Sequence, residues 1–172
     1  MSRILVTPLS AVEDVIRVHR PSHMVTLLSP DHMIETPAGF PVERHLRLGM
    51  NDVVDTAAGD TPPERRHVET LLDFARTWPA EDPLLVHCWA GISRSMAATY
   101  IILCDRLGRG SELFAAKAIR SRAPHAYPNA LLVSHADELM GRQGRMVEAI
   151  RGIGAGTMVA EGEIVEFPLV GL

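Results

Sequence analysis

The residues best equipped for chemistry lie together at 83–95, Pro-Leu-Leu-Val-His-Cys-Trp-Ala-Gly-Ile-Ser-Arg-Ser. A short apolar run, Leu84-Leu85-Val86, delivers Cys88; five residues separate that cysteine from Arg94, and a long apolar helical pattern starts at the arginine. A strand, loop and helix of this kind can turn the backbone N–H groups of Trp89, Ala90, Gly91, Ile92, Ser93 and Arg94 toward one centre, with the positive end of the helix behind them. The chemistry is anion binding. Gly91 is expected to let the loop turn tightly and approach the anion closely, and Arg94 supplies a planar fork suited to two oxygens of a phosphate. A cysteine on the floor of such a nest is expected to ionise below the roughly 8.5 of a free thiol and to be a nucleophile at neutral pH. His87 is expected to organise the loop through a ring N–H, since a thiolate needs no base. Ser95 is expected to donate its hydroxyl to the sulfur when the sulfur must leave. A lone cysteine ending a strand is usually core; the company of His87, Gly91, Arg94 and Ser95 argues for a phosphate cup instead. Trp89 either walls the pocket or packs behind the loop as core, and the second is favoured.

His-Cys-x5-Arg-Ser resembles the signature of the protein tyrosine phosphatase superfamily, and Ala-Gly-Ile-Ser-Arg-Ser resembles its dual-specificity branch. The resemblance spans roughly 41–140 and is strongest at the cup. It implies a cysteine-dependent phosphatase working through a phosphocysteine, with phosphotyrosine in proteins as substrate, and phosphoserine or phosphothreonine as further candidates. No metal and no cofactor is implied. Such a reaction needs a proton for the leaving oxygen, which similar phosphatases carry on an Asp-containing loop some tens of residues before the cysteine. Asp52, Asp55 and Asp60 are the candidates within 49–60. Asp52 is chosen because it follows the strand pattern at 45–48 most closely and because Asn51-Asp52 resembles the family's acid position; Asp55 is the next choice. The stretch 122–135 resembles the family's segment after the signature helix, where an arginine, a Pro-Asn pair and a Gln recur; His135 stands at the Gln position. Asn129 is expected to cap a helix and is a candidate for a supporting hydrogen bond toward the cup.

The surrounding pattern is that of an α/β domain, a central and mostly parallel sheet flanked by helices. Residues 4–9 read as a strand, and Ser10 with Glu13 as a capping box for a helix at 11–19. Residues 24–28 and 45–48 read as strands, and 31–41 as a surface loop near the active face. A helix at 64–78 carries Val68, Leu71, Leu72, Ala75 and Trp78 on one face. The helix at 95–107 is apolar almost all round and therefore buried. Ser111 is expected to cap a helix at 112–121; a helical pattern follows Asn129, and 145–151 is expected to continue it past Gly141 and Gly144. The tail, 153–172, alternates in part and is left as an added strand, a partner-binding arm or a disordered segment; 1–172 is taken as one domain.

Composition limits the partners. A net charge of −4 over 172 residues argues against nucleic acid, and no apolar run approaches the length of a membrane span. Two cysteines with no secretory leader pattern suggest reduced thiols and a cytoplasmic setting. Cys104, about 15 Å along the helix from Arg94, reads as core. His19 and His23 have helical ligand spacing, but Pro21 between them argues against a metal site. A phosphoinositide or inositol-phosphate phosphatase would use the same cup, but 89–93 adds no positive charge to it. A non-catalytic phosphoprotein-binding module would be expected to lack the cysteine or the acid, and both are present. Oligomeric state is not legible.

Overall fold

Strand β4 (Leu84–Cys88) is buried along its whole length and lies between β1 (Arg3–Pro8) and β2 (His23–Leu28), parallel to both. The computed structural model describes residues 2–169. Strand β3 (His45–Gly49) extends the sheet parallel to β2, and β5 (Val165–Pro168) closes the other edge antiparallel to β1, giving the order β3-β2-β4-β1-β5. The expected strands are therefore found, and the open assignment of the tail becomes an added strand; its last three residues lie outside those described.

Alternation along the strands sorts side chains to two faces. Leu5, Met24 and Leu85 meet Val12 and Val15 of helix α1 (Val12–His19) and Phe40 in a small cluster. Ile4, Val6, Val25, Leu27, Leu84, Val86 and Cys88 face the larger core, built with α2 (Arg65–Thr77), α3 (Arg94–Leu107), α4 (Glu112–Arg122), α5 (Ala130–Leu139) and α6 (Arg145–Gly152). Helix α3 is buried from Arg94 through Cys104, as its apolar circumference requires. Cys104 is a free core thiol that burial pushes up to about 12.

Several expected boundaries differ. Ser10 lies in a 3₁₀ turn before α1 and donates to Glu161 Oε1 at 2.7 Å instead of capping the helix. Ser111 sits at the N-cap of α4, but its hydroxyl turns back to the Gly108 carbonyl. The continuation after Asn129 breaks into two helices, because Asp137 accepts the N–H groups of Gly144, Met146 and Val147 and so starts α6 afresh. His19 and His23 do not form a metal pair: His19 faces Glu166, and His23 bonds Ser22.

Candidate active site

Cys88 ends β4 opposite Pro8 of β1, with its sulfur buried above the start of α3. The sulfur lies 3.2 Å from Ser95 Oγ and accepts the Gly91 N–H at 3.3 Å. Two of the expected companions of the thiol thus touch it directly.

The rest of the loop is held from outside by its carbonyls. Leu9 N–H donates to the Trp89 carbonyl, Gly162 N–H to Ala90, Tyr127 N–H to Ile92, and both Ala97 and Asn129 N–H to Ser93, at 2.8–3.2 Å. A trans amide carries its C=O and the following N–H on opposite sides. Each carbonyl tied outward therefore turns the next N–H inward, at Ala90, Gly91, Ser93 and Arg94. The result is a cradle of donors at a helix N-terminus, the arrangement that binds tetrahedral oxyanions. Gly91 has φ +70°, and a Cβ there would stand 2.8 Å from Pro8 N. Besides the turn itself, packing against the end of β1 is what demands glycine at this position.

Arg94 is buried, with Nη1 donating to the Met50 carbonyl at 2.8 Å and Ser29 Oγ at 3.5 Å. Its Nε has no hydrogen-bond partner among the described residues and lies 3.9 Å from Asp52 Oδ2. A buried guanidinium N–H without a partner is costly unless a ligand completes it. Asp52 Oδ1 accepts from Ser93 Oγ at 2.7 Å and from Asn129 Nδ2 at 2.9 Å, while the side chain stays 38% exposed. The loop that carries it is cinched at its base, where Asn51 and Thr61 exchange backbone and side-chain bonds. Asp55 turns away to bind the Ala57 N–H, and Asp60 is exposed. Of the three candidate acids, Asp52 is the one brought to the cup.

His87 lies on the other face of β4, in a buried chain invisible to the sequence. Its Nδ1 is 3.3 Å from the Cys88 carbonyl, its Nε2 2.6 Å from Thr26 Oγ1, which in turn meets His45 Nε2 at 2.7 Å; His45 Nδ1 meets Thr36 Oγ1 at 2.8 Å. The carbonyl requires a proton on His87 Nδ1, and Thr26 has one hydrogen to give, so every member of the chain donates toward Cys88. Burial, with Arg47 adding to it for His45, pushes both imidazoles down to about 4. Their neutral state is what the chain needs. His87 Nδ1 thus donates to the Cys88 carbonyl, where the loop begins.

Trp89 corrects the preference for core. It is 55% exposed and packs its ring against His32 at 5.4 Å between centroids, on the rim of the cup. Asn129 caps α5 by accepting the Leu131 and Leu132 N–H groups, as expected, but its amide donates to Asp52 and the Val53 carbonyl, not into the cup. His135 bonds the Pro63 carbonyl, at the end of the acid loop. Beside the cup a cavity of about 380 Å³ is lined by Val54, Ser93, Tyr127, Asn129 and Arg151. A polar cleft of about 460 Å³ at Glu69, Arg76, Asp105 and Arg142 lies elsewhere, away from Cys88. Among the described residues no cluster of three or more His, Cys, Asp or Glu could hold a metal ion, and no helix is long and apolar enough to cross a membrane.

Thr26, Ser29, Thr36, Met50, Tyr127 and Gly162 were missed as contributors to the site. Met50, Tyr127 and Gly162 act through backbone groups, which leave no trace in residue type, and Thr26, Ser29 and Thr36 through hydroxyls whose partners the sequence does not show.

No family model matches the sequence, and no curated protein matches it. Solved structures do. The human tyrosine phosphatase-like serine/threonine/tyrosine-interacting protein superposes with TM-score 0.63 at 19% identity, covering 80% of this chain and 91% of that one. DUSP15 gives 0.62 at 18% identity, over 89% and 91%. PTPMT1, in complex with PI(5)P, gives 0.56 at 18% identity, over 87% and 91%. The chain has the α/β fold of the tyrosine and dual-specificity phosphatases.

Proposed function

We propose that this chain is a cysteine-dependent phosphatase of the dual-specificity-like branch, hydrolysing phosphotyrosine in proteins, with phosphoserine and phosphothreonine as further candidates. One observation carries the proposal: the buried Arg94 Nε, without a hydrogen-bond partner among the described residues, stands 3.9 Å from Asp52 Oδ2 at a cup where the Gly91 N–H donates to the Cys88 sulfur. Cys88 attacks phosphorus in line, forming the S–P bond as the P–O bond to the leaving group breaks. The inward N–H groups and Arg94 hold the three equatorial oxygens through a loose transition state. Asp52 gives its proton to the departing oxygen. In the second step Asp52 takes a proton from water as that water attacks phosphorus, and the S–P bond breaks with the Ser95 hydroxyl donating to the sulfur.

The cup favours a protein substrate over a phosphoinositide because residues 89–93 bring no cationic side chain to it. A multiply phosphorylated head group would draw on positive charge around the cup. That one fold relative was solved in complex with PI(5)P keeps the lipid as the reading to test against.

The test is steady-state hydrolysis of p-nitrophenyl phosphate without added metal, followed by phosphopeptides and phosphoinositide head groups. Wild type is expected to turn over the aryl phosphate, and Cys88→Ser to lose at least about a thousandfold in rate while still binding orthovanadate, because no base stands ready to activate a serine hydroxyl. Turnover that survives in Cys88→Ser would overturn the nucleophile assignment. Faster release from head groups than from phosphopeptides would overturn the substrate class.

A further inference from the structure

Residues 153–164 run between α6 and β5 over the outside of the phosphate cup, in a part of the chain to which the signature resemblance does not extend. Almost the whole stretch is exposed, yet Gly162 within it is buried. Its N–H donates to the Ala90 carbonyl at 2.8 Å. A Cβ at Gly162 would stand 2.6 Å from His125 Nε2 and 3.0 Å from the Gly91 carbonyl oxygen, so only glycine lets the tail lie this close to the loop. The stretch is tied along its length: Arg120 donates to the Ile153 and Gly154 carbonyls, Thr157 N–H to Pro124, and Ser10 Oγ to Glu161 Oε1. Beyond it, β5 pairs with β1, which fixes its far end to the sheet.

The bond to Ala90 has a specific consequence. Ala90 C=O and Gly91 N–H belong to one peptide unit, and in a trans amide they point in opposite directions. Pulling the carbonyl out toward Gly162 aims the Gly91 N–H at the Cys88 sulfur, where it is found at 3.3 Å. Released from Gly162, that peptide would be free to rotate and present its carbonyl, a negative dipole, to the anion site.

We propose that 153–164 is a strap that positions the phosphate cup, and that Gly162 is its positioning residue, holding the Ala90–Gly91 peptide in the anion-binding orientation. The proposal rests on the cup being a phosphate site, and the experiment separates the two. Iodoacetamide alkylation of Cys88, followed by mass spectrometry of its peptide, is measured against rising inorganic phosphate, alongside thermal melting. Wild type is expected to be protected by phosphate. Gly162→Ala, which must push the strap off the loop, is expected to need about tenfold more phosphate for half-protection, the loss of one well-aimed hydrogen bond to a charged ligand. Its melting should change little by comparison, since the sheet and α3 are untouched. Ser10→Ala, which removes an outer tie and leaves every cup residue in place, should shift protection the same way by about two- to threefold. Glu161→Gln keeps the accepting oxygen for Ser10 and should behave as wild type. Wild-type protection in both Gly162→Ala and Ser10→Ala would overturn the strap. If Gly162→Ala does not fold, Ser10→Ala against Glu161→Gln decides. No protection in wild type would overturn the cup itself.

Discussion

Asp52 is held by two donors on the same oxygen, Ser93 Oγ and Asn129 Nδ2, leaving Oδ2 directed toward the Arg94 side of the cup. In the proposed reaction Oδ2, the oxygen not held by these donors, is the one that would carry the proton. Asp52→Asn is therefore expected to lower turnover about 10²- to 10³-fold, most for substrates with poor leaving groups, and to flatten the basic limb of the pH–rate profile. Asp55→Asn is expected to stay near wild type, because its carboxylate serves the Ala57 N–H in an exposed turn. Rate profiles for p-nitrophenyl phosphate and phenyl phosphate on both variants check the pair; a larger loss in Asp55→Asn would reverse the assignment. Asp52 was legible in the sequence as the preferred one of three aspartates on a loop. What singled it out was its place directly after β3, and the structure adds the donors that no spacing could foretell.

Among the elements, the junction of α3 and α5 joins helix stability to the Asp52 loop through Asn129. Its carbonyl side accepts the first N–H groups of α5, its own N–H ties the Ser93 carbonyl, and its amide donates to the acid loop. Asn129→Ala is expected to cost about 1 kcal/mol through the lost cap, and to slow turnover through the loosened Asp52. Asn129→Asp keeps an accepting oxygen for the cap but loses the donor and sets a second carboxylate against Asp52. Its melting temperature should fall too, because a buried carboxylate then faces Asp52 Oδ1 and the Val53 carbonyl, and its rate should fall further than that of Asn129→Ala. Thermal melts beside kcat values measure both, and parallel losses in the two variants would mean that Asn129 acts on the fold alone. The cap was legible because Pro-Asn before an apolar run is a helix start. The link to Asp52 was not, since it joins positions 77 residues apart.

At the scale of the whole molecule, the sheet separates two chemistries. One face carries Cys88 into the large core; the other buries His87, Thr26 and His45 in their one-way chain. Both imidazoles are pushed down to about 4 from the ordinary 6.5. Below pH 6.5 the unfolded chain takes up protons there that the folded chain refuses, so the stability from this chain is complete above 6.5 and drains away as pH falls toward 4. The loss is up to about 1.4 kcal/mol per pH unit for each histidine. Urea melts at pH 7, 5.5 and 4.5 should show it, and His45→Gln should give a shallower fall than wild type over that window. An equal fall in the variant would mean that carboxylates elsewhere govern acid unfolding.

The sequence alone pointed to the cup and to the order of the elements that make it, because a cysteine, a glycine, an arginine and a serine at those intervals have few other uses, and because strand and helix periods are local. It also determined that α3 is buried, from apolar residues all round. Contacts across the fold set the donors that hold Asp52, turn Trp89 outward, make His87 the end of a buried chain, and return the tail as β5 beside β1. Each of these depends on contacts between residues distant in sequence, many of them through backbone groups that every residue type carries alike.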